Sequence, residues 1–249
     1  MHRFIVASEG IEKGLAVIQG EELQHLTRVL RMTVGDAVIV FDGQGLEGHG
    51  TIIELEKNEA LVSITSTSFF NRESPLDIWL VQGLAKGEKM DYIIQKATEL
   101  GVRGIVPLET KRTVLKLEGK KKEEKRIRWQ RIAQEAAKQC GRTCVPTVLP
   151  CSKIMELIEV LPVNKQLFVP WEQGGVSLKT AWNTDKRDEI LKEPIYVVIG
   201  PEGGLDEDEV SRLSKVGGIP VTLGPRILRT ETAGVVAITA IMYQWGDLE

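Results

Sequence analysis

The period of the apolar positions changes near residue 75. Before it, residues 37–42, 50–55 and 61–65 are short runs rich in β-branched side chains, separated by turns at Asp42-Gly43 and Lys57-Asn58. They predict a small, mostly β unit with one short helix over 21–30, which carries His25 and Arg28 and has Arg31 just beyond it. After it, β-like runs at 77–82, 104–107, 166–169, Ile195–Ile199 and 219–223 alternate with helical patterns. Met90, Ile93, Ile94, Ala97 and Leu100 share one face of a helix over 90–100, and a basic helix is expected over 123–139. Such alternation predicts a mostly parallel sheet covered by helices. A last helix over 232–244 is apolar on nearly every side, so it should be buried within the subunit or between two subunits. The polar Asn71-Arg72-Glu73-Ser74-Pro75 stretch divides the chain into 1–72 and 73–249, and the charged stretch 183–193 reads as an exposed loop.

Charge changes the picture once it is divided. The 249 residues carry a net −3, but the segment 71–150 holds 17 Lys and Arg against 10 Asp and Glu, while the segments on either side are each at −5. An anionic partner along the middle segment is expected, since phosphate contacts come from local Lys/Arg clusters; a solvated helix face is the alternative, which Glu123-Glu124 after Lys120-Lys121-Lys122 partly supports. The three cysteines form no C-x-x-C pair, so neither a disulfide framework nor a metal site is expected. No stretch resembles a signal peptide or is long enough to span a bilayer, which suggests a cytoplasmic protein with no membrane partner.

The chemistry concentrates in two loops. One is Ile199-Gly200-Pro201-Glu202-Gly203-Gly204; the other is Leu223-Gly224-Pro225-Arg226-Ile227-Leu228-Arg229-Thr230-Glu231-Thr232-Ala233. Each follows a strand pattern and leads toward a helix, so they suggest two walls of one pocket beyond the carboxyl ends of a sheet. Glu202 and the acidic turn Asp206-Glu207-Asp208-Glu209, which resembles a capping box, would repel a phosphate. A nucleoside without phosphate and with positive charge suits them better; S-adenosylmethionine has both properties. A tight turn ahead of a helix is the plainer reading of Gly203 and Gly204.

These segments resemble the ribosomal RNA small-subunit methyltransferase E family of the SPOUT class. The resemblance extends to His25-Leu26-Thr27-Arg28-Val29-Leu30-Arg31, Lys86-Gly87-Glu88-Lys89-Met90-Asp91, Glu99-Leu100-Gly101-Val102, and Arg128-Trp129 through Gln139-Cys140-Gly141-Arg142. It implies an α/β domain with a C-terminal trefoil knot, preceded by a small PUA-like β-barrel that docks RNA. It also implies methylation of N3 of a uridine in 16S ribosomal RNA, or in the assembled small subunit, with S-adenosylmethionine, by a homodimer. Ribose 2′-O methylation and a non-catalytic ribosome-binding factor stand as alternatives.

On that resemblance Arg229 and Glu231 are the catalytic candidates, although Arg229 could equally be a surface arginine paired with Glu231. The cofactor would be held by Val169, Pro170, Trp171, Ile199, Gly200, Pro201, Glu202, Gly203, Gly204, Leu223, Gly224, Ile227, Leu228, Thr232 and Ala233. RNA contacts are expected from Arg3, His25, Arg28, Arg31, Lys86, Arg142 and Arg226, with ordinary surface arginines as the alternative. No metal is expected.

Overall fold

The computed structural model describes residues 1–68, 72–181 and 192–248. The chain divides into two compact units, Met1–Glu73 with Ala137–Val145, and Ser74–Ala136 with Pro146–Glu249. The expected exposed loop over 183–193 falls mostly outside the described residues.

The first unit is a five-stranded curled sheet. Its strands are β1 His2–Ile5, β2 Leu15–Gln19, β3 Ala37–Phe41, β4 Glu47–Leu55 and β5 Glu59–Ser68, in the order β1-β3-β4-β5-β2. Only β1 and β3 run parallel. The path ends at β1 and β2. Both strands went unread in the sequence because they are short and adjoin helical turns. Alternation places Phe4, Ile18, Val38, Val40, Ile52 and Val62 in one core. The expected helix over 21–30 is an α-helix at Gly20–Gln24 that widens into a π-helical turn at His25–Val29. Arg31 follows at φ +54°, an uncommon left-handed conformation for a non-glycine residue.

The borrowed segment Ala137–Val145 is fastened into this unit by buried ion pairs. Lys138 Nζ meets Glu22 at 2.7 Å, and Arg142 meets Glu73 at 2.6 Å. Glu73 also accepts the amides of Thr143 and Cys144. Arg3 pairs with Glu47, donates to the Arg142 carbonyl at 2.9 Å, and lies 4.8 Å from the centre of the Phe41 ring.

The second unit is a parallel sheet. Its strands are β6 Ile78–Gly83, β7 Gly104–Glu109, β8 Thr147–Val148, β9 Ser152–Lys153, β10 Gln166–Pro170, β11 Val176–Ser177, β12 Ile195–Ile199 and β13 Ile219–Thr222. They run β11-β13-β10-β12-β6-β7-β8, with β9 also on β7, and every pair is parallel. Both faces are covered, which is why the central strands read as continuous apolar runs. On one face Val81, Val106, Val169 and Val198 pack with the helices Ile154–Val160 and Glu207–Lys215. Toward the other lie the helices Lys89–Glu99 and Thr230–Trp245, which pack on each other and bury Ile93, Ile94, Ala237, Ile238 and Ile241. The acidic turn is the capping box expected from sequence: Asp206 accepts from the Asp208 amide while Glu209 accepts from the Asp206 amide. No helix among the described residues is long and apolar enough to cross a membrane.

Candidate functional site

The order β13-β10-β12-β6 sets the carboxyl ends of four parallel strands side by side. The segments leaving β10, β12 and β13 enclose a cavity of about 460 Å³. Pro170 and Trp171 form one wall, Ile199 through Gly204 a second, and Leu223 through Arg229 the third, with Glu231 and Ala233 from the helix that follows. The two glycine loops are thus walls of one cavity. Of the residues expected around a cofactor, Val169 is fully buried in β10 and Thr232 is exposed in the first helical turn; neither lines the cavity.

Behind the first loop lies the end of β6. Gly83 lies so close to the loop that a Cβ there would stand 2.4 Å from Pro201 N. Beside it Gln82, with no exposed surface, donates from Nε2 to Thr230 Oγ1 at 2.9 Å. The Thr230 hydroxyl in turn donates to the Gly200 carbonyl at 2.6 Å. One threonine therefore joins the first loop, the last helix and β6. Sequence reading missed Gln82, although a glutamine closing an apolar strand was a visible signal.

Glu202 Oε1 accepts from the Lys86 amide at 3.0 Å and from Lys89 Nζ at 3.1 Å. Burial pushes its carboxyl upward, but the Lys86 amide and the Lys89 ammonium outweigh it and hold the group below the usual glutamate value. Glu231, only 18% exposed, lies 3.9 Å from Lys89 Nζ and 3.9 Å from Arg229. Its Oε2 is buried without a hydrogen bond. Arg229 caps the last helix through its carbonyl, which accepts from the Thr232 and Ala233 amides, while its side chain is 83% exposed. The Arg229–Glu231 pair is long, so a ligand can take up the guanidinium at little cost.

Several expected RNA contacts are placed differently. Arg3 and Arg142 are buried and ion-paired within the first unit, so neither presents its guanidinium to a phosphate; each organises the unit instead. His25 is half-buried, edge-on to Phe4. Arg28, Arg31, Lys86 and Arg226 are exposed. On the basic helix Lys120–Cys140, Lys122 meets Glu109 at 3.7 Å and Arg126 meets Glu123 at 2.5 Å, whereas Lys120 and Lys121 face solvent. Burial pushes the Cys151 thiol up to about 11, which keeps it an unreactive thiol near neutrality.

The cavity fits S-adenosylmethionine on three counts. Gly200, Gly203 and Gly204 line one wall, the Trp171 indole N–H is buried without a partner, and carboxylates stand beside apolar walls.

A glycine-lined cavity at the carboxyl ends of a parallel sheet, with three carboxylates among its lining residues, has the features of a nucleoside-cofactor site such as a methyltransferase carries. Comparison with known proteins agrees. The family model for an RNA methyltransferase domain matches residues 72–242, and that for an RNA methyltransferase PUA domain matches 18–65. The ribosomal RNA small subunit methyltransferase E of Bacillus subtilis is 39% identical over 233 residues, covering 91% of this chain and 89% of that protein. Its counterpart from Buchnera aphidicola is 34% identical over 93% of this chain and 89% of that one. The crystal structure of the Neisseria gonorrhoeae enzyme bound to S-adenosyl methionine superposes with a TM-score of 0.88, at 32% identity and full coverage of both chains. The chain belongs to the ribosomal RNA small subunit methyltransferase E family.

Proposed function

We propose that this enzyme methylates N3 of a uridine in 16S ribosomal RNA, with S-adenosylmethionine held in the cavity. The observation that carries the reading is the pairing of the glycine-lined wall with an exposed arginine, Arg229, on the wall opposite. The cofactor, when bound, supplies an electrophilic methyl group on a sulfonium. Gly200, Gly203 and Gly204 would hold it through backbone, with Pro170, Trp171, Ile199, Leu223, Leu228 and Ala233 as apolar contacts. The protein must position N3 in line with that methyl and remove its proton, since the neutral imide is a poor nucleophile. Loss of the proton spreads negative charge over O2 and O4, and Arg229 is the donor available to stabilise it. Glu231 is the better-placed acceptor for the proton: Glu202 Oε1 is taken by two donors, whereas Glu231 Oε2 has none.

Exposed Arg28, Arg31, Lys86, Arg226, Lys120 and Lys121 are the groups we assign to phosphate contacts, and extrusion of the target base brings N3 to the cavity. We further infer a homodimer, supported by the exposed Val236 and Tyr243 on the mostly apolar last helix and by Tyr92 on the helix packed against it. A trefoil knot is the threading we infer for the segment from β12 to the last helix. Its support is the close stacking of the Pro201 loop on Gly83 and the Thr230 link between the two loops. The setting we propose is the cytoplasm, where ribosomal RNA is made and modified.

The test is a methylation reaction with labelled S-adenosylmethionine on naked 16S RNA and on small subunits, followed by digestion to nucleosides. 3-Methyluridine is expected; a 2′-O-methyl nucleoside, or no incorporation on either substrate, overturns the reading.

A further inference from the structure

Three carboxylates line the cavity, and they are not equivalent. Glu202 is held by the Lys86 amide and Lys89, and Glu231 stands between Lys89 and Arg229. Glu172, on the segment after β10, makes no hydrogen bond or ion pair with any described residue. Its side chain is exposed and lies against the first loop. Glu172 Oε1 lies 2.2 Å from the point a Cβ on Gly204 would occupy, and Gly204 has φ +71°. The carboxylate therefore rests against a stretch of the first loop that carries no side chain. Arg226 and Arg229, the cations of the facing wall, point to solvent and form no ion pair with it.

A carboxylate on a cavity wall with no cation of its own is suited to a cationic ligand. We propose that Glu172 is the counter-ion for a positively charged group of the cofactor and a determinant of cofactor selectivity. The inference rests on the S-adenosylmethionine reading. That molecule carries two cationic groups, the sulfonium and the α-ammonium; S-adenosylhomocysteine, left after methyl transfer, keeps only the ammonium. If the sulfonium is the group recognised, the interaction is strong before transfer and gone after it, so Glu172 helps the product leave.

Glu172→Gln removes the charge and keeps the shape; Glu172→Asp keeps the charge. Calorimetric titration of S-adenosylmethionine and S-adenosylhomocysteine into the wild-type protein and both variants separates the outcomes, with thermal melting to show that each is folded. Glu172→Gln should weaken S-adenosylmethionine roughly ten-fold, as expected for one lost charge-assisted contact in a partly open site. Glu172→Asp should recover most of that loss. If S-adenosylhomocysteine is unaffected, the contact is to the sulfonium and both parts of the proposal stand; if it weakens equally, the contact is to the ammonium, which supports the counter-ion role and overturns the selectivity role. Unchanged S-adenosylmethionine affinity in Glu172→Gln, or equal losses in the Gln and Asp variants, overturns it and leaves the cofactor reading standing. No binding of either ligand by the wild-type protein overturns that reading, and this inference with it.

Discussion

The two glycine loops share one cavity but are built oppositely. The loop after β12 is fastened at every turn: Gly200 O to Thr230, Glu202 to Lys86 and Lys89, Gly203 O to Arg112, and Gly204 N to Pro201 O. Its following helix is clamped by Lys111, which pairs with Asp206 at 2.8 Å and Asp208 at 2.6 Å. The loop after β13 has a local turn, in which Thr222 Oγ1 bonds both the amide and the carbonyl of Gly224. Beyond that turn Pro225, Arg226 and Ile227 are exposed, Ile227 at 84%. The difference is one of entropy. A wall that is ordered in advance binds a small ligand without a further ordering cost, while a wall with free side chains can adapt to a large one. The first loop has the character of a cofactor cradle and the second that of an RNA-facing rim.

That contrast can be broken most severely behind the first loop, at the end of β6. Gly83→Val would drive its side chain into the Pro201 backbone, a clash that no rotamer relieves. Cofactor binding, read by calorimetry, should be lost, and melting should fall by the amount typical of overpacking, about 1–3 kcal/mol. Retained affinity would show that the first loop is not set by this corner.

Arg229→Ala tests the second loop. Methylation in single turnover should fall by about two to three orders of magnitude with cofactor affinity nearly intact. Arg229→Lys should recover little, because an ammonium lacks the planar two-donor fork. Higher pH should partly rescue the alanine variant by ionising more uridine unaided. Loss of cofactor affinity with a normal rate at saturation would move Arg229 to the cofactor wall.

Thr230→Val tests the link between the loops. It leaves the Gly200 carbonyl without the Thr230 donor and the Gln82 amide with the Gly83 carbonyl alone, a loss of roughly 1–3 kcal/mol. Cofactor affinity and rate should both drop about ten-fold, and Thr230→Ser should restore them; an unchanged Kd would mean that the loops act independently.

The smallest effect is electrostatic. Glu202 is held below its ordinary value of 4.5, so its favourable contacts are present above that pH and are lost as pH falls through the lower folded value. The stability difference between wild type and Glu202→Gln should therefore hold down to pH 4.5 and shrink as melting is measured below it. A constant difference across that range would mean that the Lys86 and Lys89 contacts do not depend on the charge.

By itself, the sequence determined the five longer strands of the second unit and its main helices, because burial on both faces leaves apolar runs and period-3.6 stripes, whereas the two-residue strands β8, β9 and β11 and the helix Ile154–Val160 carry too short a pattern to read. It also determined the two loops, since glycine, proline and charge there have local meanings, and the Asp206 capping box, whose partners are three residues apart. Only the tertiary structure decided what lies far apart in the chain. The strand order that brings β13, β10, β12 and β6 together depends on pairings between distant segments, such as Ile195 with Ile78, and no local period encodes them. The same holds for Gln82 meeting Thr230 across 148 residues, and for Glu172 resting on Gly204. The arginines show the limit most clearly. Arg3 and Arg229 look alike as letters, yet one is buried against Glu47 and the other open to solvent. What an arginine does depends on how much water its packing leaves it, and packing is a property of the whole fold.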